Sequence, residues 1–301
     1  MSNEEIIKLI KAQILTTAGG QLSAKELDAF IDTCVEQSKF LGMARVERDI
    51  ATTLNLDTLG VSSRIMVKGT EATEPSADEK AGVSIGRRSL TPIEAILPYD
   101  ISFSFLRSNI EKEGAEAKIN NVFARQFAND TVDLAFNGDT ASANGCLKIT
   151  DGYIKRAKAD ADAHTDTYVA DDKIIDVLLA MLETLPSKWR GNLSELAFLM
   201  SPKNELKYRQ ELATRNTALG DIYLVKNDPI AFQGIKCEPI AQMPDTEIML
   251  TMPINLAVGY GSELRVGKQL QERKRLVEYT LGTFVDANYV VSDQVVLFTQ
   301  Q

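Results

Sequence analysis

The sequence predicts an α+β protein, and three observations carry that expectation. Helical periodicity dominates residues 2–42 and 108–212, whereas strand-like segments dominate everything from Tyr223 onwards. The two kinds of element are segregated along the chain rather than strictly alternating, which is the α+β pattern. Between the helical regions, residues 50–100 have extended chemistry but little apolar material from which to build a core of their own.

The elements follow in order. Ser2 and Glu5 have capping-box spacing, with Ile6, Ile10 and Ile14 at helical intervals behind them and Gly19-Gly20 as the stop. Ser23 and Glu26 repeat the start signal; Leu27, Phe30, Ile31, Cys34 and Val35 share one face, and Gly42 closes it. SSRIMVKG (residues 62–69) reads as a short strand, TEATEPSADEKAG as a polar tip, and VSIGRRSLTPIEAILPYDISFSF as a return in extended conformation. The whole excursion predicts a projecting β-hairpin, since a loop of that length is uncommon in a compact domain unless it has a function.

Ser108 and Glu111 then open the longest helix, from Asn109 to Phe136, roughly 40 Å at 1.5 Å per residue. Ile119, Phe123, Phe127, Thr131 and Leu134 line one face, widened by Val122, Ala128, Val132 and Ala135. Asn137-Gly138 predicts a left-handed cap, followed by a strand Cys146–Ile149 and a polar loop, RAKADADAHTDTYVADD. A helix from Asp171 to Pro186 presents Ile174, Leu178, Met181 and Leu185 on one face; Trp189 to Asn192 turn the chain, and LAFLM reads as a buried strand. Ser201-Pro202 opens a last helix reaching about Leu212. IKCEPIAQ, EIMLTM, NLAVGY, KRLVEYTLG and FVDANYVVSDQVVLFT complete the chain as strands.

Composition narrows the function. A formal charge of −9 over 301 residues opposes a role in gripping nucleic acid, because neutralising phosphates needs an excess of Lys and Arg. Three scattered cysteines, Cys34, Cys146 and Cys237, form no CxxC pair and predict neither a zinc nor a redox site. No apolar run approaches a membrane span, and the N-terminus lacks the pattern of a secretory signal. His164 is the single histidine and sits in a polar loop, so neither a triad nor a metal centre is assembled around it. Acidic pairs Asp171-Asp172 and Glu111/Glu113 are read as helix N-terminal charges rather than catalytic carboxylates. No cofactor is implied, and the chain reads as a non-enzyme.

The order of elements resembles one family, the major capsid proteins of tailed bacteriophages with the Johnson (Hong Kong 97-type) fold, over nearly the full chain. The residues that carry the resemblance are the helix end Phe136-Asn137-Gly138-Asp139, the Gly-Cys-Leu segment after it, Leu199-Met200-Ser201-Pro202, Gly234-Ile235-Lys236-Cys237 leading to Met243-Pro244, and the closing hairpin Arg275 to Leu297. EQSKFLGMARVERD, SFSFLRSNI and LVEYTLGTFVDANYVVSDQVV are most similar to the temperate contractile-tailed enterobacterial phages.

The resemblance implies an N-terminal arm (1–50), an extended loop (51–100) lying over a neighbouring subunit, a peripheral domain (101–190 and 265–290) with a spine helix at 109–136, and an axial domain (191–264 and 291–301). It implies self-assembly into pentamers and hexamers of an icosahedral shell around double-stranded DNA, in the host cytoplasm. A separate scaffolding protein, a portal, a maturation protease and a decoration protein are the expected partners, with no membrane. Many relatives carry a scaffolding segment before the arm; here about forty residues precede the loop region, which implies a separate or already removed scaffold.

Arg64, Lys68, Glu71, Glu74, Glu79, Lys80, Arg87, Arg88, Arg273, Arg275 and Asp286 are the nominated subunit-contact residues. Lys68 or Lys80 with Asn288 are the only nominees for a Lys–Asn crosslink, against the plainer reading of solvated lysines and a turn asparagine. Two other readings stand beside the capsid one: an encapsulin-like nanocompartment subunit, and a soluble α+β enzyme or binding protein with a flap at 66–86.

Overall fold

The computed structural model describes residues 20–21, 31–32, 34–36, 38–61, 66, 68, 83–102, 114–214, 229–262 and 265–301. The first expected helix, most of the strand at 62–69, the polar tip and the capping box at Ser108 and Glu111 lie outside them. Residues 31–32 and 34–36 are helical, and Ile31 and Cys34 are buried as their spacing predicts.

Among the described residues, fourteen strands form three sheets. In the first, β13 (Leu276–Tyr289) is the hub. One edge of β13 pairs with β5 (Ile93–Ser102) along Leu276–Val285. The other pairs with β12 (Arg265–Gln271) along Leu276–Gly282, and then with β11 (Leu256–Gly261). Strand β2 (Arg45–Ile50) adds in parallel to β11, and β1 (Gly20–Gln21) edges β12. The second sheet runs β6 (His164–Tyr168), β14 (Val296–Gln300), β10 (Glu247–Thr251), β7 (Ala197–Met200), β9 (Ile235–Pro239), β8 (Ala231–Phe232). The third is the hairpin β3 (Leu54–Val61) and β4 (Val83–Leu90).

Strands that are apolar at every position are buried on both faces, and the second sheet shows why. Leu199, Met249 and Leu297 point into one core with the helix Gly114–Asn137; Phe198, Met200, Ile248, Leu250, Val296 and Phe298 point into the other, against the helices Ile174–Thr184 and Pro202–Ala213. Helix α1 spans Gly114–Asn137, α2 Tyr153–Ala159, α3 Ile174–Thr184 and α4 Pro202–Ala213. The predicted α1 face holds at Phe127, Ala128, Thr131, Val132, Leu134 and Ala135. Val122 does not belong to it: it is 65% exposed, one turn from exposed Gln126, whose amide reaches Asp130. Phe123 instead stacks on Tyr99 at 4.0 Å, and Tyr99 on Tyr279 at 5.0 Å, fixing α1 across the β5–β13 pair.

Several expectations are corrected. Gly138 does not adopt a left-handed conformation. It is needed for close approach: a Cβ there would lie 2.5 Å from the Leu134 carbonyl and 2.8 Å from Gly152 N. Cys146–Ile149 is a pair of turns, not a strand; Lys148 N–H bonds back to Asn144 O and the Leu147 carbonyl receives Asp139 N–H, folding the segment onto the end of α1. The polar stretch from Arg156 is not a loop but contains most of α2 and all of β6. Trp189 and Asn192 flank and enter a 3-10 helix over Arg190–Glu195. Helix α3 starts at Ile174, not Asp171: Glu211 of α4 accepts from Ile174 N at 2.7 Å and Ile175 N at 3.0 Å. The macrodipole of α3 is therefore met by a distant carboxylate, while Asp172 accepts from Val169 N in the preceding turn. Ser201 caps α4 as predicted, accepting from Asn204 N.

The expected domain boundaries cut across the sheets. β11 lies with β13 in the first sheet, and β6 lies with β14 in the second.

Candidate assembly surface

The hairpin β3–β4 alternates in facing. Leu56 and Arg88 are paired across it and look toward the body; Asp57 with Arg87, and Leu59 with Ile85, look away. Alternation of this kind sets which face can bury apolar surface. On the inner face Leu56 and Leu90 join Ile50 and Ala257 in a small core at the hairpin base. On the outer face Leu59 and Ile85 sit opposite each other, 78% and 65% exposed, an apolar pair that nothing among the described residues covers. Arg87 holds Asp57 in a two-pronged contact at 2.7 and 3.1 Å, and this hydrogen bonding keeps the Asp57 carboxyl below its ordinary range.

The base is tied to the body through β4 and the residue after it. Asn288 donates its amide to Ser89 O at 2.9 Å, and Thr91 N–H donates to Asp286 at 2.7 Å. Arg88 donates to Asp160 and to Ser292, and its guanidinium lies 5.2 Å from the Tyr289 ring centre. Tyr289 also donates its hydroxyl to Asp160 at 2.7 Å. Burial pushes the Asp160 carboxyl up, but the Tyr289 and Ser292 hydrogen bonds and the Arg88 charge outweigh it and hold the group below its ordinary range. Beyond this base, a cleft of 810 Å³ opens between the hairpin (Thr58, Gly86) and the body (Asp162, Lys188, Trp189, Asp293).

The nominated residues are therefore not one surface. Arg64, Glu71, Glu74, Glu79 and Lys80 lie outside the described residues; Lys68 is exposed. Arg273 and Arg275 sit exposed at the β12–β13 turn, Arg275 with a φ of 54°, at the far end of β13 from Asp286. Asp286 is not on a surface at all. It is buried, accepting from Thr91 N, Thr150 Oγ1 and Arg156 Nη2, so it joins the hairpin base to the turn after α1 and to α2. Asn288 is likewise buried in a strand rather than set in a turn, with its amide committed to Ser89. His164 opens β6 half-buried, 3.1 Å from Asp293, which Lys188 and Trp189 also contact. The Arg88 partners Asp160 and Ser292, and the Tyr289 contact to Asp160, were invisible in the sequence. They bridge separations of 72, 204 and 129 residues, beyond any local spacing rule. Among the described residues no cluster of three or more His, Cys, Asp or Glu could hold a metal, and no helix is long and apolar enough to cross a membrane.

No protein-family profile matches the chain. Along almost its full length it is similar to the putative prophage capsid protein YqbE of Bacillus subtilis (strain 168), 26% identical over 308 aligned positions that cover 98% of this chain and 97% of that one. Its fold matches the satellite phage P4 procapsid with a TM-score of 0.74 at 13% identity, covering 100% and 98% of the two chains. The chain is a structural capsid protein. This capsid fold is shared with the shell of an empty GTA particle (TM-score 0.63, 17% identity, 88% and 90% covered). It also matches a virus-like particle from Pyrococcus furiosus less closely (TM-score 0.55, 10% identity, 90% and 96% covered). The sequence relative and these structural neighbours are shell proteins, not enzymes, which removes the flap-bearing enzyme reading. A capsid protein of this kind belongs in the virion shell, and the nanocompartment alternative has less support.

Proposed function

We propose that this capsid protein is the major shell subunit, assembling with copies of itself into pentamers and hexamers of an icosahedral shell around phage DNA. The observation that carries the proposal is the hairpin: joined to the body at its base, it offers Leu59 and Ile85 as an exposed apolar pair on its outer face. A neighbouring subunit under that face would bury both. Ring contacts of this head-to-tail kind close into pentamers and hexamers.

In this reading α1 is the spine helix and works with the first sheet as the peripheral part, while the second sheet with α3 and α4 is the axial part around the symmetry axis. Packaged DNA lies close without being gripped, in keeping with the net charge of −9. A separate scaffold, a portal, a protease and a decoration protein complete the proposed assembly. Placement beside the temperate contractile-tailed enterobacterial phages rests on the three stretches quoted above, from EQSKFLGMARVERD to LVEYTLGTFVDANYVVSDQVV. Electron microscopy with light scattering on the chain expressed alone, and with a scaffold, tests the proposal. Closed shells, tubes or rings of capsomers are expected; compact monomers under every condition would overturn it.

A further inference from the structure

The inner face of the hairpin poses a mechanical question. Leu56 and Leu90 pack at its base, but one step outward the inner positions are Thr58 and Gly86, which are too small to reach the body. A Cβ at Gly86 would meet Thr58 Oγ1 at 2.6 Å, so the Thr58 hydroxyl would have to turn aside to admit one. These small residues leave the cleft of 810 Å³ beneath the outer half of the hairpin, facing Asp162, Lys188 and Trp189. Leu59 and Ile85 on the hairpin and Trp189, Val290 and Val291 on the body also border this cleft, but its open volume leaves the arm room to tilt.

We infer that Arg88 is the positioning residue that sets the tilt of the hairpin, acting as a strut from β4 to Asp160, Ser292 and Tyr289. Three features make it suited to that task. Among the described side chains of β4 it is the outermost on the inner face that reaches the body, so it acts with the longest lever arm of these. Its planar guanidinium reaches two hydrogen-bond acceptors on different elements and lies near an aromatic ring, a geometry a lysine cannot reproduce. Asp160 is itself held in place, by the Tyr289 hydroxyl and at the end of α2. The inner contacts, Thr91 to buried Asp286 and Asn288 to Ser89, then serve as the pivot. Arg87, next to it in sequence, faces the other way and ties only β3 to β4.

This inference rests on the reading that the hairpin is the assembly arm, and one experiment separates the two. Spin labels are placed at Ile85→Cys on the arm and Ser187→Cys on the body, in a Cys146→Ser background that leaves only the buried Cys34 and Cys237, and shells are scored separately on the same Arg88 and Asp160 variants with Ile85 and Ser187 intact. Labelled chain is diluted in excess unlabelled chain, so that only distances within one subunit are read by pulsed electron resonance. With Arg88 intact the distance distribution is expected to be narrow. Arg88→Ala and Asp160→Asn should each broaden it and move its maximum; the double variant should add nothing further; Arg88→Lys should recover part of the order. Arg87→Ala should leave the distribution unchanged. If the alanine variant does not fold, Asp160→Asn and Arg88→Lys carry the same comparison. An unchanged distribution in the Arg88 and Asp160 variants overturns the strut. A changed distribution with normal shells by electron microscopy keeps the strut and overturns the assembly-arm reading. Lost shells with an unchanged distribution do the reverse.

Discussion

At the scale of single residues, stability concentrates where polar groups are buried and where backbones meet. Asp286 is the clearest case: its carboxylate receives a backbone N–H, a hydroxyl and a guanidinium from three separate segments. Asp286→Ala would leave those donors unpaired, and the expected cost is on the order of 3 kcal/mol, read as a fall in the urea midpoint. Asp286→Asn, which keeps an acceptor, should lose less. Gly138→Ala is expected to fail more completely, because the new methyl would meet backbone atoms of Leu134 and Gly152 that cannot move aside. The thiols give a gentler test. Burial pushes Cys34 and Cys237 up to about 12, whereas Cys146 is only half-buried. One thiol per folded chain should therefore react with a thiol reagent at neutral pH, and three after denaturation; three fast-reacting thiols in the native state would contradict the packing described here.

At the scale of elements, legibility tracked the length and regularity of the hydrophobic signal. LAFLM, α4 with its Ser201 cap and the core face of α1 were readable because several turns or a full run of apolar residues repeat one instruction. Helix α2 was not, because its seven residues offer only Tyr153, Ile154 and Ala157 as a buried face amid charged neighbours. Strand β6 was missed for a related reason: HTDTY is an edge strand, exposed at its three central positions, and its pairing with β14 is set by residues far away. The site fared as unevenly, since the hairpin was anticipated but its anchors Asp160, Tyr289 and Ser292 were not.

The turn between α1 and α2 yields a pH prediction. Burial pushes the Asp151 carboxyl up, yet hydrogen bonds from Lys155 and Thr140 dominate and bring it down to about 2. A carboxyl depressed in the folded state contributes stability that is complete above its unfolded value and is lost as pH falls through the folded one. Thermal stability should thus decline between about pH 4 and about pH 2, and Lys155→Ala should flatten that decline because Asp151 then titrates closer to its unfolded value.

At the scale of the whole molecule, two compact cores share one two-faced sheet, and a hairpin stands off from both. The shared sheet makes the body a single mechanical unit, while the hairpin contributes to folding only through its base. The consequence is a separation between what folding needs and what assembly needs. Leu59→Arg or Ile85→Arg changes a side chain that no other part of the described chain covers, so the unfolding midpoint should stay within about 0.5 kcal/mol of the parent. A neighbouring subunit docking on that face would instead have to bury an unpaired charge, which is strongly unfavourable. Deleting residues 69–82 is expected to act in the same sense, leaving a folded subunit that assembles poorly. Size-exclusion chromatography with light scattering, alongside circular dichroism, reads both quantities on one sample. A native spectrum with lost shells is the expected outcome for all three variants. Unfolding of the deletion variant would mean that the arm belongs to the subunit's own core, and normal shells from Leu59→Arg would mean that the apolar pair faces solvent in the particle.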